Sequence, residues 1–202
     1  KLINLFLIRI YRKNTQRFGY TPIGVFWNSK ESQYSRFKFL INLIEEQLDD
    51  NKCNIADIGC GYGELLIFLR TRNIIYNYRG YDINSEIVSY CNNRFPGKLF
   101  YVAEYPKEKC DFCIISGTYN YAVIDNTNLW EKYILHNLVE CFKMCNLGIA
   151  VNFQIASSKK IKNKIFYTDI ISMKNLLEKK FKIVKYFFDK RTKNDVYFLL
   201  LK

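Results

Sequence analysis

Apolar and polar residues alternate along this chain in blocks whose lengths fit strands and helices in turn. A short apolar run at 54–58 predicts a buried strand, and the apolar run Leu65–Leu69 predicts the helix that follows it. The same order recurs downstream, with further predicted strands at 78–81, 99–102, 111–115 and 148–153. Strands that alternate with helices are typical of a doubly wound α/β fold with a mostly parallel sheet.

The N-terminal part of the chain predicts a helical cap. Residues 1–17 read as a helix with basic residues on one side, and the aromatic, turn-rich segment 18–24 links it to the rest. Ser29 begins a second predicted helix, in which apolar residues recur at helical spacing from Phe37 onward. We expect residues 1–36 to form a cap or lid over a core of residues 37–202, within a single domain of 202 residues.

The C-terminal quarter predicts the closing part of the sheet. Residues 181–187 and 196–201 read as an antiparallel strand pair, and a helix is expected before them at 174–180. Residues 154–168 are polar and rich in lysine, which predicts a loop over the substrate side.

A glycine-rich segment joins the first predicted strand to its helix: Asp57-Ile-Gly59-Cys-Gly61-Tyr-Gly63. Glycine loses more backbone entropy on folding than any other residue, so three glycines at this spacing predict close approach of the main chain to a ligand. The segment lacks the Lys-Ser/Thr pair of a phosphate loop and does not fit the Gly-x-Gly-x-x-Gly pattern of dinucleotide-binding proteins. The next predicted strand ends at Asp82, where an acid can accept hydrogen bonds from both ribose hydroxyls of a nucleoside.

This spacing of Asp57, Gly59, Gly61, Gly63 and Asp82 resembles motif I and the acidic motif II residue of class I S-adenosylmethionine-dependent methyltransferases. The resemblance extends over residues 27–155 and implies S-adenosylmethionine as the cofactor. It also implies a Rossmann-like sheet of seven strands in the order 3-2-1-4-5-7-6, with the last strand antiparallel. A reductase or an inactive relative with the same fold is the alternative.

The resemblance extends to four further candidate cofactor-binding residues. Ile83 follows the ribose acid and is expected on the adenine face. Glu104 occupies the position at which an acidic residue meets the adenine amino group, although aspartate is more usual there. Ser116 and Gly117 open a small-residue loop that resembles motif IV, which borders both the cofactor and the methyl acceptor.

The helix that begins near Ser29 supplies two more candidates. The segment resembles one that precedes the core in a group of small bacterial class I methyltransferases. By that resemblance Gln33 and Arg36 reach the methionyl end of the cofactor, where a guanidinium suits a carboxylate. Their replacement by alanine would then weaken cofactor binding without unfolding the protein. The alternative for Arg36 is a surface ion pair with Glu31 or Glu45.

The sequence contains no residue that identifies itself as a catalytic base. Because the sulfonium methyl of the cofactor is already activated, catalysis can consist mainly of alignment and exclusion of water. Tyr119 and Asn120, in the loop after the fourth strand, are the weak catalytic candidates. The Asn-Pro-Pro-Tyr-type signature of amino methyltransferases that act on DNA bases is absent from this loop. Because the chain has little beyond the core except the N-terminal cap and the loop near residue 160, we expect an oxygen or nitrogen atom of a small-molecule or sugar-like acceptor to be methylated.

The distribution of charge keeps an RNA acceptor open as the second hypothesis. The formal net charge is +12, and residues 151–202 carry 13 basic and 4 acidic side chains. Such a surface can attract phosphates of RNA, but we favour the explanation that lysine fills surface positions throughout the chain. Clustering of the lysines at 159–164 with those at 179–185 on the pocket side would favour RNA, whereas dispersion would favour the small molecule.

The seven cysteines are odd in number and scattered, which predicts reduced thiols in a cytoplasmic protein. The pairs Cys110-x-x-Cys113 and Cys141-x-x-x-Cys145 have spacings found in zinc sites. The first pair, however, falls in a predicted strand, where residues three apart face opposite sides, so we expect no metal.

The first apolar run is too short to cross a membrane. Residues 2–10 are interrupted by Asn4 and Arg9 and fall well below the length of a membrane-spanning helix. We therefore expect neither stable membrane insertion nor a signal peptide in this sequence.

Overall fold

The structure, a computed structural model, describes residues 2–49 and 51–202. Within these ranges the chain forms six α-helices and nine strands. The helices are α1 (Leu2–Phe18), α2 (Lys30–Glu45), α3 (Glu64–Leu69), α4 (Ser85–Arg94), α5 (Thr127–Met144) and α6 (Ile170–Glu178). The strands are β1 (Lys52–Ile58), β2 (Ile75–Asp82), β3 (Phe100–Val102), β4 (Cys110–Ile115), β5 (Cys145–Ile155), β6 (Lys160–Lys162), β7 (Ile165–Thr168), β8 (Ile183–Phe187) and β9 (Asp195–Leu201).

Seven of the strands reproduce the predicted sheet. Parallel pairing joins β3, β2, β1, β4 and β5 in that order, and β9 then pairs antiparallel with both β5 and β8. If the β6–β7 hairpin is left out of the numbering, β8 is the sixth strand in chain order and β9 the seventh. The strand order is then the expected 3-2-1-4-5-7-6, with an antiparallel last strand. The prediction of the fold class is confirmed.

The additional hairpin β6–β7 lies where a loop was predicted at 154–168, so the sheet has nine strands instead of seven. Gln154 of β5 is paired with Asp195 of β9 on one side and with Tyr167 of β7 on the other. β7 therefore occupies the place beyond the end of β4. Strands of three and four residues are too short for their apolar pattern to be distinguished from a loop.

Two apolar layers cover the faces of the sheet. One layer includes α5 and α6 and centres on fully buried residues such as Trp130 and Phe166. The other layer includes α2, α3 and α4 and centres on residues such as Leu40 and Ile44. Helices on both faces explain why the central strands β1, β4 and β5 are buried on both sides.

The cap is α1 with the short 3-10 turn Ile23–Val25 that follows it. Thr15, in the last part of α1, is buried, and the side chain of Asn14 donates hydrogen bonds to the carbonyls of Ile23 and Gly24. These bonds hold α1 to the turn. None of the helices in the described ranges has the length and apolarity required to span a membrane.

Candidate functional site

A cavity of about 1060 Å³, counted to its open mouth, lies beyond the C-terminal ends of β1, β2 and β4. It is the position at which open parallel sheets bind ligands. Among the predicted site residues, the following line it: Gly59, Gly61, Asp82, Ile83, Glu104, Ser116, Gly117, Tyr119 and Asn120.

The three glycines of the loop all adopt positive φ angles, +70° at Gly59, +52° at Gly61 and +82° at Gly63. Their reasons for being glycine differ. A Cβ at Gly59 would lie 2.5 Å from a Thr118 side-chain atom, whereas a Cβ at Gly61 would meet nothing closer than 3.8 Å. Gly61 therefore leaves open space beside the cavity, and Gly59 permits the loop after β4 to pack closely.

Gly63 does not line the cavity. It is the N-cap of α3, and a Cβ there would lie 2.8 Å from the ring of Phe95 and 3.1 Å from that of Phe100. The prediction of close main-chain approach to a ligand thus fits Gly61, while the geometry at Gly63 is explained by packing of the loop on two aromatic rings.

Asp82 is buried at the end of β2 and faces the cavity. One carboxylate oxygen accepts a hydrogen bond from the Asn84 backbone N–H at 2.8 Å, and the other accepts one from the Gly61 backbone N–H at 3.2 Å. Burial raises the pKa of Asp82 to about 6, against the lowering effect of these backbone bonds. Each carboxylate oxygen can still accept a further hydrogen bond, as ribose hydroxyls require.

Asp57 lies beneath the loop and does not line the cavity. It is buried, and its carboxylate accepts a hydrogen bond from the Tyr78 hydroxyl at 2.7 Å. Burial raises the pKa of Asp57 to about 7. Its contact supports the backbone from which the loop departs and joins β1 to β2.

The loop after β4 is held from below by a chain of buried polar groups. The Gly117 backbone N–H donates to the Asn152 side-chain oxygen at 2.9 Å, and the Asn152 amide donates to the Asp195 carboxylate at 3.0 Å. The Asp195 carboxylate in turn forms an ion pair with Arg36. A Cβ at Gly117, whose φ is +70°, would lie 2.6 Å from the ring of Trp27.

Three buried polar side-chain atoms have no hydrogen-bond partner among the described residues: Asn84 Nδ2, Ser116 Oγ and Tyr119 Oη. All three residues line the cavity. Buried polar groups are normally hydrogen-bonded, so unpartnered atoms at one cavity indicate a polar ligand. The residues therefore fit a cofactor that offers donors and acceptors along an extended molecule, as S-adenosylmethionine does.

Tyr119 and Asn120 differ in the hydrogen bonds that their side chains already make: the Tyr119 hydroxyl has no partner among the described residues, and the Asn120 side chain has one. Burial raises the pKa of Tyr119 well above its ordinary value, so its hydroxyl stays protonated and acts as a neutral hydrogen-bonding group. Asn120 is fixed in place, because its side-chain oxygen accepts from the Gln154 N–H at 3.2 Å and its carbonyl accepts from the Phe166 N–H at 2.8 Å. Asn120 thereby attaches the loop to β5 and β7.

Aromatic side chains from three segments meet at the cavity. The rings of Phe26 and Tyr121 stack with centroids 4.5 Å apart, and Tyr11 of α1 contacts the Phe26 ring edge-on at 5.1 Å. All three residues line the cavity, together with Leu7 and Ile8 of α1. α1 therefore forms one wall of the cavity.

Gln33 and Arg36 are not brought to the cavity. The Gln33 side chain is buried and accepts a hydrogen bond from the Tyr62 hydroxyl at 2.5 Å. The Arg36 guanidinium bonds to both carboxylate oxygens of Asp195, and it also donates to Ser32. Neither of the surface acids considered for Arg36, Glu31 or Glu45, is its partner.

Several residues that line the cavity were not predicted from the sequence: Tyr11, Phe26, Trp27, Asn84, Tyr121, Tyr133, Asn137 and Gln154. Of these residues, Asn84 was the easiest to predict, because it lies two residues after Asp82. Its side chain is the N-cap of α4 and accepts from the Glu86 N–H. The others lie on elements that reach the cavity only through tertiary packing.

Comparison with known proteins finds methyltransferases among the proteins similar to this chain. No family model matches the chain. A curated protein of Mycobacterium tuberculosis described as "Putative methyltransferase Rv1506c" is 26% identical over 133 residues, which cover 63% of this chain and 80% of that protein.

Similar solved structures include three methyltransferases, one with bound SAM and one with bound S-adenosylhomocysteine. A methyltransferase from Leishmania major covers 96% of this chain and 82% of its own at 12% identity, with a TM-score of 0.69. The 1,6-didemethyltoxoflavin-N1-methyltransferase of Burkholderia thailandensis, bound to S-adenosylhomocysteine, covers 98% and 87% at 9% identity, with a TM-score of 0.63. Magnesium protoporphyrin IX methyltransferase of Synechocystis PCC 6803 with bound SAM covers 84% and 79% at 14% identity, with a TM-score of 0.58. This chain has the class I, Rossmann-like methyltransferase fold.

Proposed function

We propose that this chain, which has the fold of class I methyltransferases, transfers a methyl group from S-adenosylmethionine to an oxygen or nitrogen atom of a small molecule. The observation that carries the proposal is the convergence of four polar groups on one cavity. The buried Asp82 carboxylate faces the same space as the unpartnered atoms of Asn84, Ser116 and Tyr119. A bound polar ligand would give these groups partners.

The cofactor supplies an activated methyl group on a positively charged sulfur, and the residues of the chain hold and orient it. In this proposal Asp82 accepts the ribose hydroxyls, and Ile83 and Glu104 contact the adenine ring and its amino group. The open backbone at Gly61 and the loop at Ser116–Gly117 border the rest of the cofactor. Two acidic side chains at the cavity, Asp82 and Glu104, favour the sulfonium charge.

The acceptor shares the aromatic side of the cavity. Tyr11, Phe26 and Tyr121 offer flat apolar surface, and the protonated Tyr119 hydroxyl offers a hydrogen bond that orients the nucleophile. Among the described residues that line the cavity, none is basic. This composition supports a neutral or positively charged acceptor with a planar part, and it gives no partner to an anionic one.

The positions of the basic residues favour the small molecule over RNA. Lys159 is paired, since its ammonium donates to Glu131 and to Asn128. The lysines at 179–182 precede β8, which runs parallel to β5. They therefore lie at the N-terminal ends of these strands, whereas the cavity lies at the C-terminal ends of the parallel strands. The lysines of β6 and those before β8 therefore do not form one surface around the cavity mouth.

The proposal predicts that cofactor affinity depends on pH through Asp82, whose pKa is raised to about 6 by burial. Above this pH the Asp82 side chain is mainly a carboxylate, which accepts hydrogen bonds from the ribose hydroxyls. Below this pH the side chain is mainly protonated. Because the hydroxyl donors favour the ionised form, affinity falls as the pH drops, by about tenfold between pH 7 and pH 5. Calorimetric titration with S-adenosylhomocysteine across this range measures the effect. Affinity that stays constant in the parent protein would contradict the assignment, and Asp82→Asn should show a flat, weak profile.

The acceptor class is tested by methyl transfer from radiolabelled S-adenosylmethionine to two pools, extracted RNA and a mixture of neutral and basic metabolites. We expect label in the metabolite fraction and none in RNA. Incorporation into RNA that is lost when Lys160, Lys162 and Lys164 are changed to glutamate would overturn the small-molecule proposal. An Asp82→Ala protein serves as the control for transfer that does not involve the cavity.

A further inference from the structure

Four of the seven cysteines of the chain meet in one apolar layer, at the opposite end of the strands from the cavity. Cys110 and Cys113 lie in β4, Cys141 lies near the end of α5, and Cys145 begins β5. Each of the four is at most 5% exposed. The remaining three cysteines, Cys53, Cys60 and Cys91, lie in the other layer.

Cys110 and Cys113 lie in the same layer, and the strand pairing is irregular between them. Between two pairings, Cys110 with Cys145 and Phe112 with Gly148, β4 advances by two residues while β5 advances by three. The expectation that residues three apart in a strand face opposite sides is therefore wrong here. Cys141 and Cys145 are four residues apart across the end of α5, a spacing that places them on one side.

The sulfur atoms are spaced as ligands of one metal ion. Those of Cys110, Cys113 and Cys145 all lie within 4.8 Å of one another, with 3.8 Å between Cys110 and Cys113 and 3.4 Å between Cys113 and Cys145. Tetrahedral zinc with Zn–S bonds of about 2.3 Å places its sulfurs about 3.8 Å apart, whereas a disulfide bond is only about 2.05 Å long. The arrangement matches a thiolate metal site and not a disulfide.

Cys141 is the candidate for the fourth ligand. It is buried in the same apolar layer and lies four residues before Cys145. Its backbone carbonyl lies 3.9 Å from the Cys113 sulfur and 3.3 Å from the Cys145 sulfur. The Cys141 side chain therefore departs from backbone that already contacts two of the three grouped thiols.

We propose that Cys110, Cys113, Cys141 and Cys145 bind one zinc ion. Each thiol releases its proton to solvent as its sulfur bonds to the metal, so four protons leave for a complete four-cysteine site. Soft thiolate donors in tetrahedral arrangement select zinc over hard cations such as magnesium or calcium. The ion ties the junction of α5 and β5 to the beginning of β4, and its role is to stabilise the fold.

The test uses the full chain, purified without a histidine tag. Zinc is measured by mass spectrometry, and the protein, after chelator removal of metal under reducing conditions, is titrated with Co²⁺. We expect one zinc per chain, and on titration the thiolate-to-cobalt charge-transfer absorption of a tetrahedral sulfur site. Both signals should be lost in Cys113→Ser and retained in the matched control Cys53→Ser, which alters a buried cysteine of the other layer.

Because Cys113→Ser can also fail to fold, the parent protein provides a second measurement. Zinc added to the metal-free parent should raise its melting temperature and protect four thiols from alkylation. Three results would each overturn the proposal: absence of cobalt absorption in the folded parent, equal alkylation with and without zinc, or full metal content in a folded Cys113→Ser protein. A stoichiometric metal other than zinc at these cysteines would overturn the choice of zinc.

Discussion

Replacement of Arg36 by alanine is expected to lower the free energy of unfolding by about 3–5 kcal/mol, because it leaves the buried carboxylate of Asp195 without its charged partner. The Asp195 side chain is fully buried, and that of Arg36 is only 14% exposed. In a chain of this size the loss corresponds to a decrease in melting temperature of about 10 °C. Thermal and urea unfolding of the unliganded protein measure it.

The consequence extends to the cavity through Asn152. Asp195 accepts from the Asn152 amide, whose oxygen holds the Gly117 N–H in the loop after β4. Loss of Arg36 therefore removes the far end of the network that positions this loop. We expect weaker cofactor binding as a secondary effect of this displacement.

Two matched variants separate buried charge from other causes. Arg12→Ala breaks an exposed ion pair with Glu86 and should change stability by less than about 1 kcal/mol. Asp195→Asn in the Arg36→Ala background removes the uncompensated charge and should restore part of the stability. A melting temperature of Arg36→Ala that equals the parent's would show that the ion pair does not stabilise the fold.

Replacement of Asp82 by alanine is expected to weaken the affinity for S-adenosylmethionine and S-adenosylhomocysteine by about 2 kcal/mol or more, or roughly 30-fold. The physical reason is the loss of a charged acceptor for both ribose hydroxyls in a site that is shielded from water. The change also removes the acceptor for the Gly61 and Asn84 N–H groups, so the loop loses part of its support. Isothermal calorimetry measures both ligands.

The Asp57→Asn variant tests whether the loss of cofactor affinity in Asp82→Ala comes from a lost contact with the ligand or from a change in the loop. Asp57 is buried beside the same loop but does not line the cavity, and asparagine retains an acceptor for the Tyr78 hydroxyl. We expect Asp57→Asn to bind the cofactor within a few-fold of the parent. Equal losses in the two variants would mean that Asp82 acts only through loop structure, and unchanged affinity in Asp82→Ala would remove it from the site.

The fold was largely predictable because its signals are local. Alternation of apolar strands with helices gives the doubly wound sheet, and the resemblance in the glycine loop supplies the strand order. The β6–β7 hairpin was not predictable, because its strands are short and one of them pairs beyond the end of β4 with residues distant in sequence. The pairing irregularity at Cys110 depends likewise on β5 and leaves no mark in the local pattern.

The candidate site was also predictable only in part, because some of its residues are brought together by local sequence order and others only by tertiary packing. Gly61 and Asp82 lie at strand ends, where sequence order alone brings them to one edge of the sheet. The role of Arg36 could not be predicted, because its partner is 159 positions away along the chain. The aromatic residues Tyr11 and Tyr121 belong to different segments, and only the docking of α1 brings their rings to within 6.0 Å.

The most direct test of the proposed cofactor site is a crystal structure of the protein grown with S-adenosylhomocysteine. We expect density for the whole ligand in the cavity between α1 and the sheet, with both ribose hydroxyls on the Asp82 carboxylate and the adenine ring against Ile83. Partners should appear for Asn84 Nδ2, Ser116 Oγ and Tyr119 Oη. A ligand bound elsewhere, or saturating ligand with an empty cavity and no contact to Asp82, would contradict it.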